Sequence, residues 1–176
     1  MELYLSKDSS PGFFLVQWNG VPLNPEIKDE SRSLGLEVTW LDQMGDILDP
    51  SELKQGTTFW GHFRVSVPGY HSNRIEELAL VQVLPSGWEI ENTRLLKEEQ
   101  PDWMKDWTLN REEYLDIRDD RVMWFFDMNT GTRFDFVVKL NAVTVGHFTL
   151  PPTLFEAMYD NRLKALKRGK RVEVSK

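Results

Sequence analysis

The sequence predicts an all-β fold: an antiparallel β-sandwich with a short C-terminal helix and one long Trp-rich connection. Several segments alternate apolar and polar residues, which is the pattern of strands that bury one face. Turn-forming residues separate these segments at intervals typical of a sandwich rather than of a parallel α/β sheet. Of the 176 residues, 12% are aromatic, and aromatic side chains favour strands.

The predicted strands are short runs rich in aromatic and β-branched residues. The strand over 57–67 shows the pattern best, because alternate residues from Phe59 to Val67 share one face. The segment 128–132 is a predicted hairpin loop, in which Gly131 is free to take a positive φ. The strands expected from these patterns are residues 13–18, 34–42, 57–67, 75–84, 121–127, 133–140 and 143–150.

One helix is predicted near the end of the chain. Thr153 and Glu156 stand at capping-box spacing directly after two prolines. Apolar residues then follow at helical spacing, and Gly169 is a candidate terminator. Met158 and Tyr159 are neighbours on this helix, about 100° apart around its axis. Met158 is therefore expected to pack inward while Tyr159 lies at the rim.

Two regions interrupt the strand pattern. The first is Pro-rich and charged, so residues 1–33 are expected to be the end of a preceding unit plus a linker, and residues 34–176 the principal domain. The second is a connection over 88–117, and a loop of this length is usually functional or carries local structure. A short helix is expected near 101–107, with Pro101 at its first position.

Composition and charge exclude several classes of function. The formal net charge of −7 argues against nucleic acid or an anionic membrane surface as the main partner. The chain has no Cys, which excludes disulfides, thiolate metal sites and Cys nucleophiles. No apolar run reaches the ~18 residues of a membrane span, so direct membrane insertion by this segment is not expected. The N-terminus lacks a signal-peptide pattern, so an exported parent protein would carry this segment internally.

Metal and catalytic sites find little support in the sequence. The three histidines, His62, His71 and His147, follow no spacing that makes them converge on a metal. No nucleophile elbow, P-loop, Rossmann or metalloprotease motif is present. A non-enzyme without cofactors is therefore expected.

Carboxylates and arginines are concentrated in the segment YLDIRDDRV, residues 114–122. A calcium site is one interpretation, because hard cations bind clustered oxygen ligands. The spacing is not that of an EF-hand and two arginines are interleaved, so a buried or half-buried structural network of Asp–Arg pairs is the better interpretation. The residues of this charge network are Asp116, Arg118, Asp119, Asp120 and Arg121.

The tryptophans suggest one alternative function. Those inside predicted strands, where core packing is expected, are Trp40, Trp60 and Trp124. Those loose enough to form an exposed platform are Trp18, Trp88, Trp103 and Trp107. Aromatic rings on a β-sandwich can stack on sugar rings. The alternative is therefore a carbohydrate-binding or surface-adhesion β-sandwich whose glycan platform is Trp88, Trp103 and Trp107.

Three motifs in this order resemble one known family. They are LPSGWEIEN (84–92), YLDIRDDRV (114–122) and VTVGHFTLPPTLFEAMYDNR (143–162). They are similar to the C-terminal part of bacterial α2-macroglobulins, the protease-trapping proteins of the cell envelope. The similarity extends from about Leu34 to Tyr159, and it implies an antiparallel macroglobulin-like β-sandwich.

The resemblance also implies a function. In this family a protease cuts a bait region elsewhere in the chain, and the molecule then exposes a Cys–Gln thioester that captures the protease. The last domain is described as a lock whose Met-Tyr pair covers the thioester until activation. By position, Met158 and Tyr159 would form this thioester-shielding latch. The expected setting is the periplasm, the cell envelope or the extracellular space, as part of a larger exported protein. The expected partners are the thioester domain of the same chain and, indirectly, target proteases.

Overall fold

The computed structural model describes residues 15, 17, 19–20, 27–69, 74–91, 101–105, 107, 109 and 112–176. This part of the chain is built almost entirely of β-strands. They are β1 (Glu30–Arg32), β2 (Gly35–Leu41), β3 (Glu52–Lys54), β4 (Thr58–Ser66), β5 (Ile75–Val83), β6 (Trp88–Ile90), β7 (Tyr114–Arg118), β8 (Arg121–Met128), β9 (Arg133–Ala142), β10 (Gly146–Leu150), β11 (Thr153–Ala157), β12 (Asp160–Lys167) and β13 (Lys170–Ser175). The predicted strand at 13–18 lies largely outside the described residues.

The strands form three sheets, in which almost all neighbours are antiparallel. The six-stranded sheet has the order β1-β12-β11-β5-β8-β7, the four-stranded sheet β2-β4-β9-β6, and the three-stranded sheet β10-β13-β3. The parallel pair is β13 with β3. The hairpin predicted between β8 and β9 is present, and Gly131 has a φ of 73° in its loop. The prediction of an antiparallel all-β fold is confirmed.

The six-stranded and four-stranded sheets pack their inner faces together over an aromatic core. Alternate residues of β8 are buried, as the period of two requires. Across the interface, the ring centroids of Phe126 and Phe136 are 4.7 Å apart, and those of Trp124 and Phe63 are 5.3 Å apart. Aromatic pairs at such distances contribute about 0.5–1.5 kcal/mol each beyond the area they bury. These pairs therefore fix how the two sheets face each other.

The predicted C-terminal helix is wrong, because the residues from Thr153 onward form the hairpin of β11 and β12. Along β11 the buried side chains are Thr153, Phe155 and Ala157, which is a period of two. The apolar residues of so short a segment fit helical and strand spacing equally well. Pairing with β5, where Phe155 lies opposite Leu80, decides in favour of the strand.

Among its described residues, the Trp-rich connection forms a 3₁₀ turn, Asp102–Met104, where the sequence predicted a short helix near 101–107. Pro101 precedes this turn with a ψ of 148°, so it is the cap rather than the first helical residue. Met104 is 1% exposed and packs with Leu41 and Trp60 in a second apolar cluster. The connection thereby covers part of the outer face of the four-stranded sheet, and Trp60 is buried for this reason.

The first strand, Glu30–Arg32, lies within the predicted linker. It pairs with β12, with Ser31 opposite Ala165. Three polar residues carry no alternation, so the sequence pattern could not reveal this strand. The domain boundary at residue 34 stays a prediction. Among the described residues, no helix is long and apolar enough to cross a lipid bilayer.

Candidate functional site

Met158 and Tyr159 form the two-residue tip of the hairpin of β11 and β12. Ala157 pairs with Asp160, so these two residues alone connect the strands. The carboxylate of Asp160 stabilises the turn, because it accepts the backbone N–H of Arg162 at 3.1 Å and two guanidinium N–H groups at 2.8 and 2.7 Å. This two-pronged, charge-assisted pair braces the start of β12, directly after the tip.

Both side chains of the tip are exposed. Met158 is 41% exposed and Tyr159 is 87% exposed. The expectation that Met158 packs inward is wrong, because the tip of a hairpin projects past the paired residues that carry the core. A thioether and an aromatic ring held side by side in solvent form a small apolar surface, which another apolar surface can cover.

Sequence patterns did not identify the groups that hold this tip. The N–H of Met158 donates to the carbonyl of Glu77 on β5 at 2.9 Å. The N–H of Glu77 in turn donates to Oδ1 of Asp127 on β8, also at 2.9 Å. The available signal was the pair Glu76-Glu77, because two successive acidic residues interrupt the alternation of a strand and indicate a bulge.

The predicted charge network is made of two neighbouring ion pairs near the surface, and Arg118 of one pair also acts on the charge of Asp120 in the other. Arg118 donates to Asp116 at 2.9 Å, and Arg121 donates to Asp120 at 2.6 Å. These residues belong to the ends of β7 and β8 and to the tight turn between them, which contains Asp119. The hydrogen bonds from Arg121 lower the pKa of Asp120. The side chain of Asp116 is 22% exposed whereas that of Arg118 is 61% exposed, so the network is half-buried to exposed rather than buried.

The proposed glycan platform does not assemble from three tryptophans. Trp88 is 2% exposed, and its ring meets those of Trp40 and Phe59 at centroid distances of 5.4 and 4.8 Å. Its inclusion in the platform is wrong, because both neighbours belong to the main core. Trp103 and Trp107 are half-buried and lie edge to face, with centroids 5.5 Å apart. They cover the second apolar cluster.

His62 belongs to a polar cluster beneath the connection. Its Nε2 lies 2.7 Å from Oδ1 of Asp135, and Nε of Arg64 donates to the same oxygen at 2.8 Å. The His62 ring packs against Trp107 with a centroid distance of 4.5 Å. Burial lowers the pKa of His62 below its ordinary 6.5, and the hydrogen bond with Asp135 opposes this shift only in part. His62 is therefore neutral at pH 7.

The two described histidines, His62 and His147, lie in different sheets and do not come together. His147 lies on β10 with Nδ1 at 3.4 Å from Glu173, on an exposed surface, and His71 lies outside the described residues. Within the part of the chain that the structure describes, no group of three or more His, Asp or Glu side chains is placed to hold a metal ion.

Comparison with known proteins connects this fold to one family. The family model described as the bacterial alpha-2-macroglobulin MG10 domain matches residues 34–161. An alpha-2-macroglobulin homolog of Yersinia pestis is 26% identical over 178 residues, which is 92% of this chain and 9% of that protein. The chain thus spans about a tenth of the length of the relatives it matches.

Solved structures show the same fold. Escherichia coli alpha-2-macroglobulin activated by porcine elastase matches with a TM-score of 0.74 and 21% identity, over 89% of this chain and 14% of that one. Salmonella alpha-2-macroglobulin reacted with methylamine matches with a TM-score of 0.71 and 23% identity, over 85% of this chain and 10% of that one. The prediction of a macroglobulin-like β-sandwich is confirmed, and the chain belongs to the MG10 domain family of bacterial α2-macroglobulins.

Proposed function

We propose that this chain is the non-catalytic MG10 domain of an exported, broad-spectrum protease inhibitor of the α2-macroglobulin type. In this proposal the domain packs against the thioester domain of the same parent protein, in the periplasm or cell envelope. Met158 and Tyr159 shield the thioester there until a protease cuts the bait region and the molecule rearranges. Target proteases are partners only through the parent protein.

The observation that carries the proposal is the exposed Met158–Tyr159 tip. A hairpin tip in an isolated domain ordinarily carries Gly, Asn or Asp, because those residues satisfy turn geometry and water. Here the two positions carry a thioether and a phenol ring, and Tyr159 is 87% exposed. Such a tip is suited to insertion into an apolar site on another domain.

The chemistry of a thioester makes this shielding useful. A thioester is an acyl donor that water hydrolyses, so it survives only where water is excluded. The side chains of Met158 and Tyr159 supply apolar cover without reacting themselves. A two-residue tip also leaves its site in one movement when the domain shifts, since no long interface must separate.

The test is methylamine treatment of the intact parent protein, which attacks an accessible thioester and releases a free thiol. That reagent also suits the family, because a Salmonella relative has been solved after reaction with it. We expect Tyr159→Ala to react roughly tenfold faster than the wild type, since water and amine then reach the thioester. Mass increase and free thiol are both measured.

The matched control is Tyr114→Ala, which removes another exposed tyrosine. Tyr114 lies on β7, three strands from β11 in the sheet order, with 62% exposure, and it packs against Phe125. Its methylamine rate should equal that of the wild type. Equal rates in wild type and Tyr159→Ala would contradict the shielding role, and release of no thiol in any variant would show that the parent protein has no thioester to shield.

A further inference from the structure

The strand beside the Met158–Tyr159 tip is distorted at one residue. The register of β5 against β8 shifts between Ile75 and Leu78, which is a β-bulge. Glu77 lies in this bulge with a φ of 56°, a left-handed conformation that residues with a Cβ rarely adopt. Such strained residues persist only where their surroundings hold them, and they are concentrated at functional sites.

A chain of hydrogen bonds connects this bulge to the tip. The carbonyl of Glu77 accepts the N–H of Met158 at 2.9 Å. The N–H of Glu77 donates to Oδ1 of Asp127 at 2.9 Å. Oδ2 of Asp127 accepts Nε of Arg74 at 3.1 Å and a shorter contact from Nη2. Both oxygens of the Asp127 carboxylate are therefore engaged, one by the bulge and one by the guanidinium.

The burial of these groups differs along the chain of bonds. The side chain of Asp127 is 15% exposed, whereas that of Arg74 is 53% exposed and also reaches Glu113 at 3.3 Å. The hydrogen bond from the Glu77 amide is thus more sheltered than the ion pair. Exposed ion pairs are screened by solvent and contribute little to stability. Oδ1 of Asp127, which accepts the Glu77 N–H, therefore contributes more to holding the bulge than Oδ2 does.

We propose that Asp127 is a positioning residue for the Met158–Tyr159 tip. Its carboxylate holds the N–H of Glu77, keeps this residue in its left-handed conformation, and so directs the Glu77 carbonyl at the Met158 amide. This inference rests on the proposed function, because it states how the shielding tip is held in place. Asp127 would control access to the thioester without touching it.

The reason that the tip needs such support is its place in the sheet. The tip residues lie beyond the last pair of β11 and β12, and hairpin ends with few buried contacts open locally at little cost. The hydrogen bond from Met158 to Glu77 extends the pairing of β11 with β5 by one residue past Ala157. Without it, Met158 and Tyr159 would sample many orientations.

The experiment measures amide hydrogen exchange of this chain, residue by residue, by NMR. In Asp127→Ala we expect the Met158 amide to exchange about tenfold faster, while the amide of Val138 in the centre of β9 keeps its rate. Asp127→Asn retains an acceptor for the Glu77 N–H and should recover most of the protection. Asp116→Ala is the matched control, since it removes an aspartate paired with an arginine that is far from the tip in the sheet order.

A double variant tests the role of backbone strain. Glycine adopts positive φ without steric cost but has more conformational freedom to lose, so Glu77→Gly should restore part of the Met158 protection in the Asp127→Ala background. If Asp127→Ala opens the whole domain, Val138 also exchanges faster, and the rise at Met158 relative to the rise at Val138 then decides. The proposal is overturned if Met158 exchange in Asp127→Ala stays within twofold of the wild type, or if it rises no more than that of Val138.

The methylamine assay separates this proposal from the one it rests on. If the shielding role and the support are both correct, Asp127→Ala in the parent protein raises the methylamine rate, to a smaller extent than Tyr159→Ala. If Tyr159→Ala leaves the methylamine rate unchanged, the shielding role is contradicted. Hydrogen exchange at Met158 still decides, independently, whether Asp127 positions the tip. If Tyr159→Ala reacts faster with methylamine, but Met158 exchanges at the wild-type rate in Asp127→Ala, the positioning role alone is contradicted.

Discussion

At the scale of single residues, burial and neighbouring charges act on the pKa of His62 in opposite directions. Its imidazole is buried on β4, and the groups that face it are Asp135 on β9, Arg64 on β4, Glu37 on β2 and Trp107 of the connection. Burial lowers the His62 pKa more than the two carboxylates raise it. The unfolded chain therefore binds a proton more readily than the native protein does when the pH falls below about 6.5.

This sign predicts a loss of stability on mild acidification. The free energy of unfolding should fall as the pH drops from 7 towards 5, because protonation of His62 favours the unfolded state there. His62→Gln should flatten this slope while its amide keeps a polar contact with Asp135. The measurement is urea unfolding at a series of pH values.

The control for this pH dependence is His147→Gln. The side chain of His147 is 82% exposed, so its removal should leave the slope as in the wild type. Among the described residues, the carboxylates with a shifted pKa all have it lowered, as Glu91 does mainly through its hydrogen bond with Lys139. Their contribution to stability is therefore lost mainly from about pH 5 downward, below the range in which His62 acts. A slope in His62→Gln equal to that of the wild type would contradict this account.

At the scale of elements, the sequence predicts strands that bury one face against the core. It does not show where residues from another segment of the chain cover the other face. Runs rich in apolar residues, alternating with polar ones in the clearest cases, predicted β2, β4, β5, β8, β9 and β10 correctly. The sequence predicts that Trp60 is buried, but it could not show that the connection is what covers Trp60 and His62 on the outward face of β4. It also mistook β11 for a helix start, because Thr153 and Glu156 satisfy a local capping rule that pairing with β5 overrides.

The candidate site, too, could be predicted from the sequence only in part. The resemblance identified Met158 and Tyr159 by position, yet only the fold shows that they form an exposed hairpin tip. Asp127 could not be found from the sequence, since its partner Glu77 is 50 residues away and the bond uses the backbone of a bulge. Contacts of this kind depend on register, which a single sequence does not specify.

The connection is the element whose anchoring can be tested alone. Met104 is 1% exposed and is the buried anchor of its 3₁₀ turn against Leu41 and Trp60. Met104→Ala should release the connection, with a cost of about 2 kcal/mol at the low end of buried truncations because the site can relax. Limited proteolysis should cut between residues 92 and 111 faster in this variant. Met44→Ala, at a methionine that is 76% exposed, should be cut like the wild type.

At the scale of the whole molecule, the two large sheets depend on one aromatic contact region. Phe126 on β8 lies 4.7 Å from Phe136 of the opposite sheet and 6.0 Å from Phe155 on β11, measured between ring centroids. It is 2% exposed. The same side chain thus joins the facing sheets and supports the strand that carries Met158 and Tyr159.

Phe126→Ala should therefore weaken the entire domain rather than one sheet. Loss of a buried Phe costs about 3–5 kcal/mol, which is a large part of the 5–15 kcal/mol that typically holds a domain together. Phe125→Ala, on the same strand but facing outward and half-buried, should cost about 1 kcal/mol. Urea unfolding followed by tryptophan fluorescence and by far-UV circular dichroism should give coincident transitions for both variants, since the sheets share one core. Separate transitions in Phe126→Ala would show that the sheets unfold independently, and the tip would then be held by its own sheet alone.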